Sequence, residues 1–294
     1  MNEPIIITKL CGGLGNQMFQ YAAGRALSLL HSCELKLDIS EYDRYSMHNG
    51  YELGRYEIVA EIARNEEIYE LSGMQNRMAR FLRRKLGFGR KTHFTEQSYG
   101  YMPEFISICP PVYIDGYWQS YRYFETVAET IRKELTLAHE PTGLNKELAD
   151  NIGETHSVSI HIRRGDYINN PVAQRMHGFV GIQYYQAAIN QVKKQLESPH
   201  FFIFSDDIVW AKENLTFSDP VTFVDHNSGA TSFEDMRLMS YCSQHLIANS
   251  SFSWWAAWLN PSDNKIVYFP ENWFVSSSNN VSSLCPPDWV SIAS

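Results

Sequence analysis

Apolar positions along the chain follow two periods, and their alternation lays out strands and helices. Residues 4–8 (Pro-Ile-Ile-Ile-Thr) are a short continuous apolar run, the pattern of a buried strand. A Cys-Gly-Gly-Leu-Gly-Asn-Gln loop follows. Phe19, Ala22, Ala23, Ala26, Leu27 and Leu30 then fall on one face of a 3.6-residue helix. Residues 34–40 alternate Leu35, Leu37 and Ile39 with polar neighbours, which predicts a second strand. Strand, glycine loop, helix, strand is the opening of an α/β layer. Residues 61–91 read as helical, 110–124 as a strand and turn, and 125–137 as a helix.

At 139–156, Pro141, Gly143 and Gly153 interrupt a polar stretch, which reads as the join between two domains, 1–150 and 151–294. Beyond it, strands at 157–163, 200–205, 221–225, 245–248 and 265–269 alternate with helices at 182–197, 207–214, 232–241 and 252–259. Strands separated by single helices favour a parallel sheet covered on both faces. The expectation is an α/β protein of two Rossmann-like domains facing a cleft.

Composition narrows the class. A chain of 294 residues, 44% hydrophobic, buries a full core without metal or disulfide staples and is not disordered. With 33 acidic and 25 basic side chains the net charge is −8, so no global basic field attracts nucleic acid. The five cysteines are scattered, without a Cys-x-x-Cys pair, which suits a reducing compartment rather than a disulfide framework or zinc site. No apolar run makes a signal-peptide core or approaches the ~20 residues that span a bilayer, so a cytoplasmic protein is expected. Residues 77–91 carry seven Lys/Arg and no Asp/Glu. Two readings of that stretch stand: a basic amphipathic helix peripheral to the inner membrane, or a solvated face beside a core stripe.

Four segments carry candidate chemistry. The first is Gly12-Gly13-Leu14-Gly15-Asn16-Gln17, between a strand and a helix start. Gly13 and Gly15 permit close backbone approach, and free N–H groups at a helix start attract anions. No Gly-Lys-Ser/Thr follows, and Met18 stands where a dinucleotide fingerprint needs its third glycine. A plain tight turn is the competing reading. The second segment, Ser157 to Asp166, alternates Val158, Ile160 and Ile162 on one face with His161 and Arg163 on the other. Arg163 and Arg164 at a strand's carboxyl end suit phosphate, with Asp166 either holding an arginine or acting on substrate.

The third segment is the apolar strand Phe201–Ser205, which ends in Asp206 and Asp207. Nucleotide contacts are expected of these carboxylates in preference to a metal, with helix capping as the structural alternative. The fourth, 245–258, runs a strand through Asn249, Ser250 and Ser251 into a helix rich in tryptophan. Its polar residues cap the helix and face a phosphate, while the tryptophans are expected to pack against the sheet. There is no His-Glu-x-x-His, Gly-x-Ser-x-Gly or catalytic-cysteine context. The set fits recognition of a diphosphate.

Together these residues resemble the bacterial type of the alpha-1,2-fucosyltransferase family, which uses GDP-fucose. The resemblance rests on Gly-Gly-Leu-Gly-Asn-Gln at 12–17, Gly-Tyr-Trp-Gln-Ser at 116–120 and His-Ile-Arg-Arg-Gly-Asp-Tyr at 161–167. It extends to Phe-Ser-Asp-Asp at 204–207 and Ala-Asn-Ser-Ser-Phe-Ser-Trp-Trp-Ala-Ala-Trp at 248–258. It implies a GT-B glycosyltransferase that inverts at the sugar carbon and needs no metal or other cofactor. The reaction it implies moves L-fucose from GDP-fucose to the 2-hydroxyl of a terminal galactose on an oligosaccharide or lipid-linked glycan. It also implies residue roles. Arg163 meets the β-phosphate with Arg164 in support. His161 and Asp206 or Asp207 meet the guanosine, and Ser250, Ser251 and Phe252 the diphosphate. Asn16, in the Gly13–Gly15 loop, faces the sugar or acceptor, with Tyr117 and Trp118 as an acceptor wall. Asp166 joins Arg163 and Asn16 as a catalytic candidate. The base stays open among Asp166, His177, Asp38 and a leaving phosphate oxygen. A fucosyltransferase of another linkage, or a non-catalytic binder of glycan or nucleotide, are the alternatives.

Overall fold

The computed structural model describes residues 4–43, 49–73, 91–165, 178–274 and 283–293. The chain divides into two compact units, residues 1–138 with 282–285 and residues 139–281 with 286–294. The join expected at 150/151 thus lies earlier in the chain.

The first unit is built on β1 (Ile5–Lys9), α1 (Leu14–His31), β2 (Glu34–Asp38), β3 (Glu61–Ile62), α2 (Asn65–Ser72), β4 (His93–Thr95), β5 (Val112–Asp115) and α3 (Ala128–Glu134). The strands form a parallel sheet in the order β3-β2-β1-β5-β4. Chain progression therefore reverses at β1, and the carboxyl ends of β1 and β5 flank the switch point where α/β sheets bind ligands. Ile6, Ile7, Leu37 and Ile114 are buried in this sheet, and α1 lays Met18, Phe19, Ala22 and Ala23 against it. Gly24 permits that approach, because a Cβ there would overlap Thr8 Oγ1. Arg25 of α1 forks onto Glu134 of α3 at 2.8 and 3.0 Å.

The second unit comprises α4 (Gly143–Gly153), β6 (Ser157–Ile162), α5 (Ile182–Gln195), β7 (His200–Ser205), α6 (Ile208–Asn214), β8 (Val221–Val224), α7 (Phe233–Tyr241), β9 (Gln244–Leu246), α8 (Ser251–Leu259), β10 (Ile266–Pro270) and β11 (Val290–Ile292). Its parallel order, β11-β10-β9-β6-β7-β8, is the doubly wound arrangement, with the switch point between β6 and β9. Every residue of β6 is buried, as a central strand covered on both faces requires. Val158, Ile160 and Ile162 pack with Tyr184, Tyr185, Ala188 and Val192 of α5.

The α/β expectation of two parallel-sheet domains is met, with differences in detail. The polar stretch read as a linker contains α4, in which Leu144, Leu148 and Ile152 fall one turn apart. Gly143 enters it at φ 55, a conformation glycine adopts without strain. The span 61–91 predicted as helical opens instead with β3, and α2 after it ends at Ser72. Residues 74–90, most of the basic stretch, lie outside the described residues, and with them the membrane-contact reading. Among the described residues no helix is long and apolar enough to cross a membrane.

Candidate active site

In the second unit the switch point gathers three of the four motifs. β6 delivers His161 and Arg163, β7 delivers Asp206 in register beside them, and β9 leads into the start of α8. Arg163 Nη1 lies 3.0 Å from Asp206 Oδ2. The same carboxylate accepts the backbone N–H groups of Arg164 at 2.8 Å and Gly165 at 3.1 Å. Asp206 therefore clamps the loop that carries both arginines. A Cβ on Gly165 would stand 3.1 Å from Asp206 Oδ2, so glycine lets that loop close on the carboxylate.

Asp207, one residue on, has a different job. Its Oδ1 accepts the Trp210 N–H at 3.1 Å, which makes it the N-cap of α6. Its Oδ2 meets Arg164 Nε at 3.4 Å, and the Arg164 guanidinium stacks 4.0 Å above the Trp210 ring. Arg164 is thus held between Asp207 and the Trp210 ring. Both carboxylates named for guanosine contact are engaged within the protein; each keeps spare lone pairs, since a carboxylate accepts about four hydrogen bonds.

His161 is 5% exposed, and its ring lies 5.7 Å from that of Phe252 in α8. Burial, with the Arg163 charge adding, pushes its pKa down to about 3, so the imidazole is neutral. Among the described residues its buried Nδ1 meets no hydrogen-bond partner. A buried orphan of this kind is costly until a ligand or water supplies the missing bond. Ser250 caps α8 by accepting the Phe252 N–H at 3.3 Å, and Ser251 opens the helix. Trp254 and Trp255 are wholly buried, packed edge to face with centroids 5.1 Å apart, as expected of a core stripe. Asp166 and His177 lie outside the described residues.

In the first unit, Gly12 takes φ 78 at the exit of β1, and Gly13 is the N-cap of α1. A Cβ on Gly12 would stand 2.6 Å from Asn16 Nδ2, so the loop needs glycine there. Gly15 is buried within the first helical turn, which leaves backbone approach to Gly12 and Gly13. Asn16 Oδ1 accepts from Gln119 Nε2 at 2.8 Å, bringing the 116–120 motif beside the glycine loop. Tyr117 is exposed, but Trp118 is wholly buried against Phe105 and Tyr123, so Trp118 forms no acceptor wall. Asp38 is also buried, where it accepts from Tyr113 Oη at 2.7 Å and Ser40 N–H at 2.9 Å. A structural role removes it from the candidate bases.

One residue escaped the sequence reading. Glu96, just after β4, accepts the N–H of Tyr117 at 2.7 Å and of Trp118 at 3.2 Å. Nothing in its local sequence marks it; only the placement of β4 beside β5 brings it to the carboxyl edge of the sheet.

Comparison with known proteins gives the family. The sequence profile of glycosyl transferase family 11 matches residues 94–293. An alpha-1,2-colitosyltransferase of Escherichia coli is 39% identical over 98% of this chain and 99% of its own length. The O-antigen biosynthesis glycosyltransferase WbnK of Escherichia coli is 33% identical over 96% and 99%. Human galactoside alpha-(1,2)-fucosyltransferase 1 is 30% identical over 62% of this chain and 53% of its own. In fold, the chain is similar to Arabidopsis thaliana FUT1 in complex with GDP (TM-score 0.54, 14% identity, 96% and 74% covered). It is likewise similar to the fucosyltransferase NodZ from Bradyrhizobium (TM-score 0.51, 16% identity, 89% and 95% covered). A doubly wound unit with paired arginines at its switch point, and a family profile spanning the second unit and the end of the first, lead to one conclusion: the chain is a glycosyltransferase and belongs to glycosyl transferase family 11.

Proposed function

We propose that this chain transfers L-fucose from GDP-fucose, with inversion, to the 2-hydroxyl of a terminal galactose on a glycan. The observation that carries the reading is Arg163, aimed from the end of a buried strand by a carboxylate that also ties down the following loop. A preorganised guanidinium stabilises charge as it develops on a departing diphosphate, and removing such a donor costs ~3–4 kcal/mol. Neutral His161, with its orphaned Nδ1, offers a nucleotide hydroxyl or phosphate a partner in the same place. Ser250, Ser251 and Phe252 present the start of α8 to the diphosphate. The transfer proceeds without a metal. As the bond from C1 to the β-phosphate oxygen breaks, its electron pair leaves with GDP, and the acceptor oxygen bonds to C1 as its proton passes to the departing phosphate oxygen.

A second donor is favoured by one finding, the 39% identity to an alpha-1,2-colitosyltransferase along nearly the whole chain. Colitose is fucose without its 3-hydroxyl. The deciding experiment supplies GDP-fucose and GDP-colitose separately with galactose-terminated oligosaccharides, then assigns the product linkage by NMR. Fucosylated 2-O-substituted galactose supports the proposal, and colitosyl product alone replaces the donor. GDP binding without product from either donor overturns transfer in favour of a binding role.

A further inference from the structure

The Glu96 carboxylate occupies a corner built to hold it. Gly116 lets it approach, since a Cβ there would lie 2.5 Å from Glu96 Cβ and 2.9 Å from Oε2. Trp118 takes φ 54, a left-handed conformation that a bulky residue rarely adopts and that marks functional corners. The turn thereby aims two successive N–H groups at one carboxylate, a small anion nest. Each carboxylate oxygen accepts one of them and has lone pairs to spare. The corner is not sealed: Glu96 is half-buried, and Tyr117 beside it is exposed.

The neighbours have the chemistry of a sugar site. Tyr117 and Tyr99 stand near Cys11 at the exit of β1, and Glu96 acts on Tyr99. The Asn16–Gln119 amide pair and Tyr42, whose hydroxyl donates to the Gly12 carbonyl at 3.0 Å, share this edge of the sheet. Saccharides are gripped by carboxylate and amide oxygens that accept from their hydroxyls, with aromatic rings beneath their C–H faces. We propose that the Glu96 carboxylate accepts a hydrogen bond from a hydroxyl of the acceptor sugar, so that the Glu96–Gly116–Tyr117 corner is a saccharide subsite of the first unit. This rests on the reading that the acceptor is a glycan.

The site has a built-in pH range. Burial, with a smaller push from the Asp115 charge, raises the Glu96 carboxyl to about 7 against the lowering effect of its two backbone bonds. Asp115, at the end of β5, is itself held by Lys9 of β1 at 3.4 Å and His93 of β4 at 3.7 Å. Among the described residues, Tyr99 and Tyr123 also face Glu96, and burial raises both pKa values, so both stay neutral. Glu96 therefore changes charge between pH 6 and 8, and the ionised form that binds a hydroxyl is lost as pH falls.

The test uses the full chain, methyl β-D-galactoside and lactose as probes, saturation-transfer NMR for binding, and GDP calorimetry as the fold control. Wild-type affinity should fall about tenfold from pH 8 to pH 6, the change in ionised fraction for a group titrating near 7. Glu96→Gln should bind the probes at least tenfold more weakly at pH 8, lose that pH dependence and keep its GDP affinity. Gly116→Ala should show the same loss with the carboxylate still present. Should Glu96→Gln fail to fold, the wild-type pH profile and Gly116→Ala decide. No wild-type binding to either probe, pH-independent binding, or Glu96→Gln within threefold of wild type overturns the subsite. Glu96-dependent binding without transfer from either donor would leave the subsite standing and remove the transfer reading. Transfer that is indifferent to Glu96→Gln would do the reverse.

Discussion

Replacing Asp206 by Asn tests whether the clamp on Arg163 governs transfer. The side chain keeps its shape, but one carboxylate oxygen becomes an amide NH2. That group then faces either the Arg163 guanidinium together with the Gly165 N–H, or the Arg164 N–H, all of them donors. The ion pair is partly solvated, with side chains 28% and 24% exposed, so its loss is discounted to about 1 kcal/mol. A loop N–H that loses a charged acceptor and meets a donor costs ~1–2 kcal/mol more. The sum, about 2–3 kcal/mol, falls on the placement of Arg163 and so on the transition state. It corresponds to a drop of ~30- to 150-fold in kcat/KM for the sugar nucleotide.

The neighbouring carboxylate supplies the control. Asp207→Ala removes the cap of α6, worth ~1 kcal/mol of stability. It leaves Arg164 stacked on Trp210. Thermal unfolding should therefore drop by a few degrees while activity stays within about fivefold of wild type. Both variants would be assayed for GDP release and sugar transfer at saturating acceptor, with melting temperature recorded in parallel. Asp206→Asn within threefold of wild type, or Asp207→Ala as the more damaging change to kcat/KM, would refute the assignment of the clamp to Asp206.

Other expectations address the scaffold and the chemistry. Gly24→Ala should destabilise the first unit by ~1–3 kcal/mol, because the added Cβ collides with buried Thr8; an unchanged melting temperature would contradict the close packing of α1 on β1. Burial pushes the Asp235 carboxyl up to about 7, against the lowering bond from Asn227 Nδ2 at 2.8 Å. The folded state then holds that proton more tightly than the unfolded chain, so stability falls as pH rises from about 4 to 7 and stays lower above. Asp235→Asn keeps the Asn227 bond and should flatten that slope, raising stability at pH 8 by about 2 kcal/mol; an equally steep melting profile would count against it. Transfer should continue in excess EDTA, and loss restored by magnesium would give Asp206 or Asp207 a metal to hold.

Much of the second unit is legible in sequence because its central strands are buried on both faces. Ser157–Ile162 alternates Val158, Ile160 and Ile162 with small or polar residues, and Phe201–Phe204 is a continuous apolar run, two patterns that both point to strands. The caps at Asp207 and Ser250 follow from the polar residues that come after β7 and β9. What sequence left open is which of two adjacent carboxylates does what. Asp206 and Asp207 are equivalent in composition, and only the direction in which each leaves β7 separates clamp from cap. α4 is hidden by the glycines at its two ends, which act there as terminators rather than breakers. Glu96 is hidden for a different reason. β4 has three residues, too few for a period, and its importance comes from pairing with β5.

The charges at the two switch points also bear on how an acidic chain would admit the anionic donor proposed for it. Among the described residues Arg163 and Arg164 are matched by Asp206 and Asp207, so these four charges formally cancel. Attraction at long range is therefore not what selects the ligand. What remains is orientation. A guanidinium already aimed needs no reorganisation when charge develops in front of it, and a neutral imidazole with an unmet nitrogen discriminates by hydrogen bonding rather than by charge. At the first unit's switch point the same economy appears with the opposite sign, for a neutral ligand: one carboxylate held by two backbone N–H groups, with amides and tyrosines around it. In each unit the fold fixes one charged group in advance with a partner from the next strand or turn, and the net charge of −8 has little bearing on either.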